Sequence, residues 1–305
     1  MDSQNHLHGV SSGWGSASFS DLWSPDVMLL TLLFAIAYFL MTGPFHQRFA
    51  HATPATTRQK CLFVLALILF YAAQGSPISY LGHHYLFSLH MLQQSILYFT
   101  LPPLALLAMP EWLLEKMFQP KWLNGLLRIM THPLVAALLF NTLFSFYHFP
   151  FIFDAAAQSH GWMTVNQIVL LLTAFGMWWP IVSPLSESKK QLSGLKKVAY
   201  IFANGVLITP ACALIIFAEN PLYATYMQVP QLFPSLTTFS DQRLGGIIMK
   251  LVQELVYGSV LAYVFYNWYK QEKQDDLPME QQSAPILMKT PATEEGSRKN
   301  LSLRE

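Results

Sequence analysis

The stretch GHHYLFSLHMLQQ, residues 82–94, places three imidazoles and a thioether at the mouth of an apolar run that closes on Pro102-Pro103. Imidazole is a good ligand for Cu(I) and Cu(II) and methionine sulfur favours Cu(I), so His83, His84, His90 and Met91 together suit copper, with zinc not excluded by ligand type. On a continuous helix, residues seven apart are nearly eclipsed and residues four apart lie within about 40°. His83, His90 and Gln94 would then share one stripe, with His84 and Met91 on the neighbouring one. At a rise of 1.5 Å per residue, His90 would lie roughly 6–10 Å below the helix start. A polar group at that depth in a membrane is costly unless it faces protein, water or metal. His148, in FYHFPFIFD, ends another apolar run and is expected at the same level, within reach of His90. The competing reading is that histidines at a membrane interface hydrogen-bond to backbone carbonyls or lipid headgroups. His83 and His84 alone do not separate the two; His90 inside a span beside His148 on an adjacent one favours metal.

The elements that would hold these groups follow from composition. Only 11% of the 305 residues are charged and 53% are hydrophobic, with a mean hydropathy of +0.33, whereas soluble domains carry about 25% charged residues. A hydrocarbon core about 30 Å thick needs roughly 20 apolar residues per helix. Seven stretches qualify, near 26–43, 59–75, 85–109, 132–149, 164–185, 198–217 and 244–269. The expected fold is therefore all-α, a polytopic membrane protein of seven transmembrane helices.

Basic residues in short loops stay on the cytoplasmic side. Arg48, Arg58 and Lys60, then Lys116, Lys121 and Arg128, then Lys189, Lys190, Lys196 and Lys197 occupy alternate loops, which places the N-terminus outside and the C-terminus in the cytoplasm. Residues 1–25 read as an outer polar tail without the features of a secretory signal, residues 26–269 as the membrane domain, and residues 270–305, charged and poor in apolar groups, as a disordered cytoplasmic tail. No phosphate-binding glycine loop occurs, which argues against nucleotide and nucleic-acid binding. Cys61 and Cys212 fall in different spans and form no CxxC motif.

Sorted by side, seven of the ten histidines fall outside: His6, His8, His83, His84, His90, His148 and His160. Asp154, Glu219, Asp241 and Gln242 join them there, with Gln94 and Gln167 slightly deeper. Lys250 lies within the last span with Glu254 four residues on, a spacing that favours an ion pair on one helix face. Pro102-Pro103 and Pro210 are expected to distort their helices.

Several longer pieces carry a resemblance. WSP at 23–25, SLHMLQQ at 88–94, LPPLALLAMP at 101–110, FYHFP at 146–150, MWWPIVSPL at 177–185, NPLYATYMQVPQLF at 220–233 and SDQRLGGIIM at 240–249 resemble the CtaG-type family of bacterial cytochrome c oxidase assembly factors. The resemblance runs over nearly all of residues 21–270. It implies a non-enzymatic protein of the bacterial plasma membrane that helps mature the oxidase by delivering copper to, or helping form, the CuB centre. It implies the oxidase catalytic subunit as partner, with other copper chaperones and membrane lipid, and copper as a transient cargo. By position, His90, Met91 and Gln93 match the family's helix 3 motif, His148 the one ending helix 4, Asp241 and Gln242 the pair before helix 7, and His160 an outer-loop histidine. The metal set so expected is His83, His84, His90, Met91, His148, His160 and Asp241. Gln94 and Gln167 stand where many members carry histidine, which shifts the expectation towards a loose, exchangeable site. Two readings compete: a scaffold for oxidase subunits that binds no metal, and a haem- or quinone-binding oxidoreductase subunit, which a Soret band would reveal.

Overall fold

The computed structural model describes residues 17–49, 52–117, 119–182 and 192–287, and every regular element among them is helical. In chain order these are α1 (Phe19–Trp23), α2 (Pro25–Thr42), a 3-10 turn (His46–Arg48), α3 (Thr57–Gln74), α4 (Pro77–His84), α5 (Phe87–Ser95), a π-helical turn (Ile96–Thr100) and α6 (Leu101–Ala108). There follow α7 (Glu111–Met117), α8 (Lys121–Met130), α9 (Pro133–Tyr147), α10 (Pro150–Ala157) and α11 (His160–Val182). The last four are α12 (Gly194–Leu207), α13 (Thr209–Ile216), α14 (Ala224–Met227) and α15 (Thr238–Leu287). Residues 1–16 of the N-terminal segment, with His6 and His8, lie outside the described residues, as do Lys189-Lys190 and the tail beyond 287.

Local chemistry sets many of the boundaries. Pro25, Pro77, Pro133 and Pro150 each open a helix, at the position where a missing N–H costs nothing. Thr56 and Gln59 form a reciprocal capping box at the start of α3. Among the described residues, six stretches are long and apolar enough to cross a membrane: Phe19–Thr42, Thr57–His84, Phe87–Ala108, His160–Val182, Gly194–Ile216 and Thr238–Lys270. This is a helical membrane protein. A seventh span is counted only if Leu123–Met130 and Pro133–Tyr147 are taken together, and these meet at 77°. The reason is length: the 15 residues of α9 rise only about 22 Å. Helix α8 carries Lys121, Asn124 and Arg128 on one face and Leu123, Leu126, Leu127 and Met130 on the other, the pattern of a helix lying along an interface.

The stretch Phe87–Ala108 is central, with 67% of its most apolar window buried, against 11% for Phe19–Thr42 at the edge. The π-helical turn precedes Pro102-Pro103, as expected where ring nitrogens cannot donate. Pro102 leaves the Tyr98 carbonyl without its helical donor, and the Trp178 indole N–H supplies one at 3.1 Å. Buried Tyr98, Phe99, Phe140, Phe144, Met177, Trp178 and Tyr257 pack around this turn.

Two expectations need correction. His83 and His84 do not continue the helix of His90. They end α4, and the chain breaks at Tyr85 and Leu86, whose backbones leave the helical region, before α5 begins. The break is stabilised from elsewhere, because the orphan N–H groups opening α5 find an acceptor on α15 (below). The segment after residue 270 is helical as far as Leu287 rather than irregular; its Lys, Gln and Glu residues are good helix formers.

Candidate functional site

The polar residues gather at one end of the bundle, where α4 and α5 form a V closed at Gly82. A Cβ at Gly82 would lie 2.9 Å from the His90 backbone nitrogen, so only glycine permits this approach. The V brings the His83 and His90 rings to a centroid separation of 5.3 Å in an edge-to-face arrangement. The two residues adjoin as the sequence suggests, but across a break instead of along a stripe.

His90 is fully buried. Its Nε2 accepts from the Gln94 amide at 2.8 Å and lies 3.1 Å from the Tyr147 hydroxyl, while its Nδ1 has no hydrogen-bond partner. Tyr147 in turn donates to the Met163 sulfur at 3.2 Å. Thus the α9 residue that touches His90 is Tyr147, the neighbour of His148. Phe87 and Phe153 pack against the same imidazole.

His83, His84 and His148 share one device. Each Nδ1–H donates to the carbonyl four residues back: Ser79 at 2.7 Å, Tyr80 at 2.8 Å and Phe144 at 2.7 Å. That bond fixes the tautomer and leaves the Nε2 lone pair as acceptor. For His83 the lone pair meets the Gln167 amide at 3.2 Å. Gln167 continues a chain of amides: Gln74 donates to its oxygen at 3.3 Å, and Gln93 donates to Gln74 at 3.0 Å and to Ser79 Oγ at 3.1 Å. For His148, fully buried, Nε2 has no hydrogen-bond partner. A buried polar atom left unpaired calls for an explanation. His84 is exposed and stacks on Tyr80 at 4.4 Å.

The remaining expected residues sit apart. Met91 is buried at α15, where a Cβ on Gly245 would come within 3.0 Å of its Cγ; it is a packing residue here. His160 is exposed at the first residue of α11. The Asp241 carboxylate accepts from the backbone N–H groups of Phe87 at 2.6 Å and Ser88 at 3.3 Å. It acts as an N-terminal cap for α5, which has no side-chain cap of its own at Leu86. Among the described residues, no three of His, Cys, Asp and Glu stand close enough together to hold a metal ion.

A strap covers this end. Asp154 accepts from the N–H groups of Ala224 and Thr225 and from the Thr225 hydroxyl, Gln242 accepts from the Leu222 N–H at 2.6 Å, Tyr223 donates to the His148 carbonyl at 3.0 Å, and Tyr226 to the Gly82 carbonyl at 2.6 Å. Tyr223 also stacks on Phe87 at 4.6 Å. Burial, reinforced by nearby Tyr147, pushes both phenols above their ordinary range, so both hydroxyls remain donors. Tyr147, Met163, Tyr223 and Tyr226 are the site residues that sequence reasoning missed. Met163 had one signal, its four-residue spacing from Gln167 on α11.

The architecture and the site define a helical membrane protein with a packed cluster of histidine and glutamine side chains at one end. Over residues 36–271 the chain matches the family described as cytochrome c oxidase caa3 assembly factor (Caa3_CtaG), and it belongs to that family. Comparison with curated proteins and with solved structures gave no match.

Proposed function

We propose that this assembly factor handles copper on its way to the CuB centre of the oxidase catalytic subunit, through His83, His90 and His148. Copper is cargo in this reading, and no catalytic step is assigned to the protein. The observation that carries it is the histidine arrangement: His83 and His148 each donate Nδ1–H to a backbone carbonyl, which leaves Nε2 as an acceptor in the pattern typical of metal-ligating histidine, and the His148 Nε2 is buried without a hydrogen-bond partner, while that of His83 is met only by the Gln167 amide. With fewer than three strong ligands grouped among the described residues, the reading favours Cu(I) held by few ligands and released readily. The Met163 thioether, linked to His90 through Tyr147, is of the right softness. His84, His160, Met91 and Asp241 drop out of the proposed ligand set because of where their side chains lie.

The proposed setting is the bacterial plasma membrane, with seven spans, the histidine end outside and the C-terminus in the cytoplasm, as the basic loops suggest. Titration of the purified protein with Cu(I) tests the proposal. Wild type should bind, and the His83→Ala, His90→Ala, His148→Ala triple variant should lose at least tenfold in affinity. Equal binding by the two, or none by wild type, defeats the metal reading and leaves the scaffold reading.

A further inference from the structure

Between Arg243 and Lys270 the only charged residues of α15 are Lys250 and Glu254, paired at 2.7 Å. Counting from Leu244, the first residue inside Arg243, Glu254 lies about 15 Å deep, the middle of a hydrocarbon core about 30 Å thick. Yet the Glu254 side chain is 59% exposed and that of Lys250 28%. Charged groups at that depth normally face the bundle interior or a water-filled cavity. This pair faces outward, beside exposed Ile247, Leu251 and Leu255.

The hydrogen bonds on this face are lopsided. The three protons of Lys250 are engaged, by Glu254, by Gln253 Oε1 at 3.0 Å and by Thr209 Oγ1 at 3.4 Å. Glu254 receives only the lysine, so its carboxylate keeps open lone pairs turned away from the protein. Gly258 and Ala262 follow at four-residue steps, both exposed, and a Cβ at Gly258 would meet nothing within 4 Å. Small residues in that register let a second helix approach closely.

We infer that this face of α15 is an intramembrane docking surface for a transmembrane helix of the client oxidase, one presenting an N–H or O–H donor to Glu254. The occupant is a different protein, because a second copy docked through this same face brings, among the described residues, no free donor to this depth. On the same face Ser259 donates to the Leu255 carbonyl at 2.7 Å and Thr209 to the Gly205 carbonyl at 2.9 Å, Lys250 is saturated, and Gln253 is buried. The oxidase as client rests on the function proposed above; the need for a donor-bearing helix rests on the exposed carboxylate alone. Replacing the pair by leucines removes the burden of desolvated charge, which by itself is neutral or stabilising, so a loss of docking would not be a loss of fold.

The test is site-specific photocross-linking in membranes of cells that make the oxidase, with benzoylphenylalanine at Leu251, and at Leu29 on the exposed edge helix as control. The expected result is an adduct with an oxidase membrane subunit from position 251, none from 29, and at least a fivefold loss of that adduct in Lys250→Leu, Glu254→Leu. An adduct of two copies of this chain, an adduct with a different protein, or labelling of lipid alone overturns the proposal. The comparison of positions 251 and 29 stands even if the leucine variant folds poorly. Cu(I) titration of the purified protein separates the two readings: copper binding without the adduct overturns only the docking surface, and the adduct without copper binding overturns only the metal reading.

Discussion

The histidine cluster and the Lys250–Glu254 face are both polar regions within apolar helices, and they differ in where their polarity is satisfied. In the cluster, His90, Gln93, Gln94 and Asp241 are almost wholly buried, and residues more than 150 positions apart supply partners, as when Asp241 caps α5. On α15 the ion pair finds its partners on its own helix and at Thr209, yet the glutamate remains outside. The contrast teaches that burial and pairing are separate quantities in this chain. A buried group without a partner suggests a ligand, and an exposed group within the membrane suggests a neighbour.

The comparison can be broken most strongly at Asp241. Asp241→Ala leaves the α5 N–H groups buried without an acceptor and should cost about 2–3 kcal/mol, read as a lower unfolding midpoint in detergent, with Asp241→Asn losing less. Gly82→Ala forces a Cβ against the His90 backbone, which cannot swing aside as a side chain could. It should cost about 1–3 kcal/mol and weaken Cu(I) binding by spreading His83 from His90, measurable in one titration. On the other side of the comparison, Lys250→Leu alone strands the Glu254 carboxylate and should destabilise the protein in a bilayer by about 1–2 kcal/mol, whereas Lys250→Leu with Glu254→Leu should recover that loss. Recovery absent in the double variant would mean that the pair itself holds α15 to Thr209 and Gln253.

Smaller effects sharpen the picture. Tyr223→Phe removes one hydrogen bond from the strap to the His148 carbonyl and should cost about 1 kcal/mol, with faster hydrogen exchange confined to residues 222–227 as its signature. His84→Ala should leave Cu(I) affinity unchanged, because that imidazole is exposed and stacked on Tyr80. A drop of tenfold there would return His84 to the ligand set.

Much of this was legible in the residues themselves, for physical reasons that also mark where legibility stops. The low charge and long apolar runs dictate helices, because backbone groups in hydrocarbon must be satisfied within their own segment. The spacing of Lys250 and Glu254 dictates their pairing, because i and i+4 share a helix face. The Pro102-Pro103 distortion follows from missing donors. Gathering the histidines at one end required only the alternation of basic loops.

What the tertiary structure decided is azimuth and partnership across the chain. Nothing local tells that α4 must end at His84, since the acceptor that lets α5 begin at Phe87 sits on α15. Nothing in FYHFP tells that Tyr147 faces His90 while His148 bonds back to Phe144. Periodicity gives the angle between two residues on one helix, but the rotation of that helix against its neighbours is set by packing, here by Gly82, Phe87, Phe153 and Tyr223. For the same reason the exposure of Glu254 could not be read from its spacing to Lys250. The helix specifies the pair, and only the bundle specifies which way the pair looks.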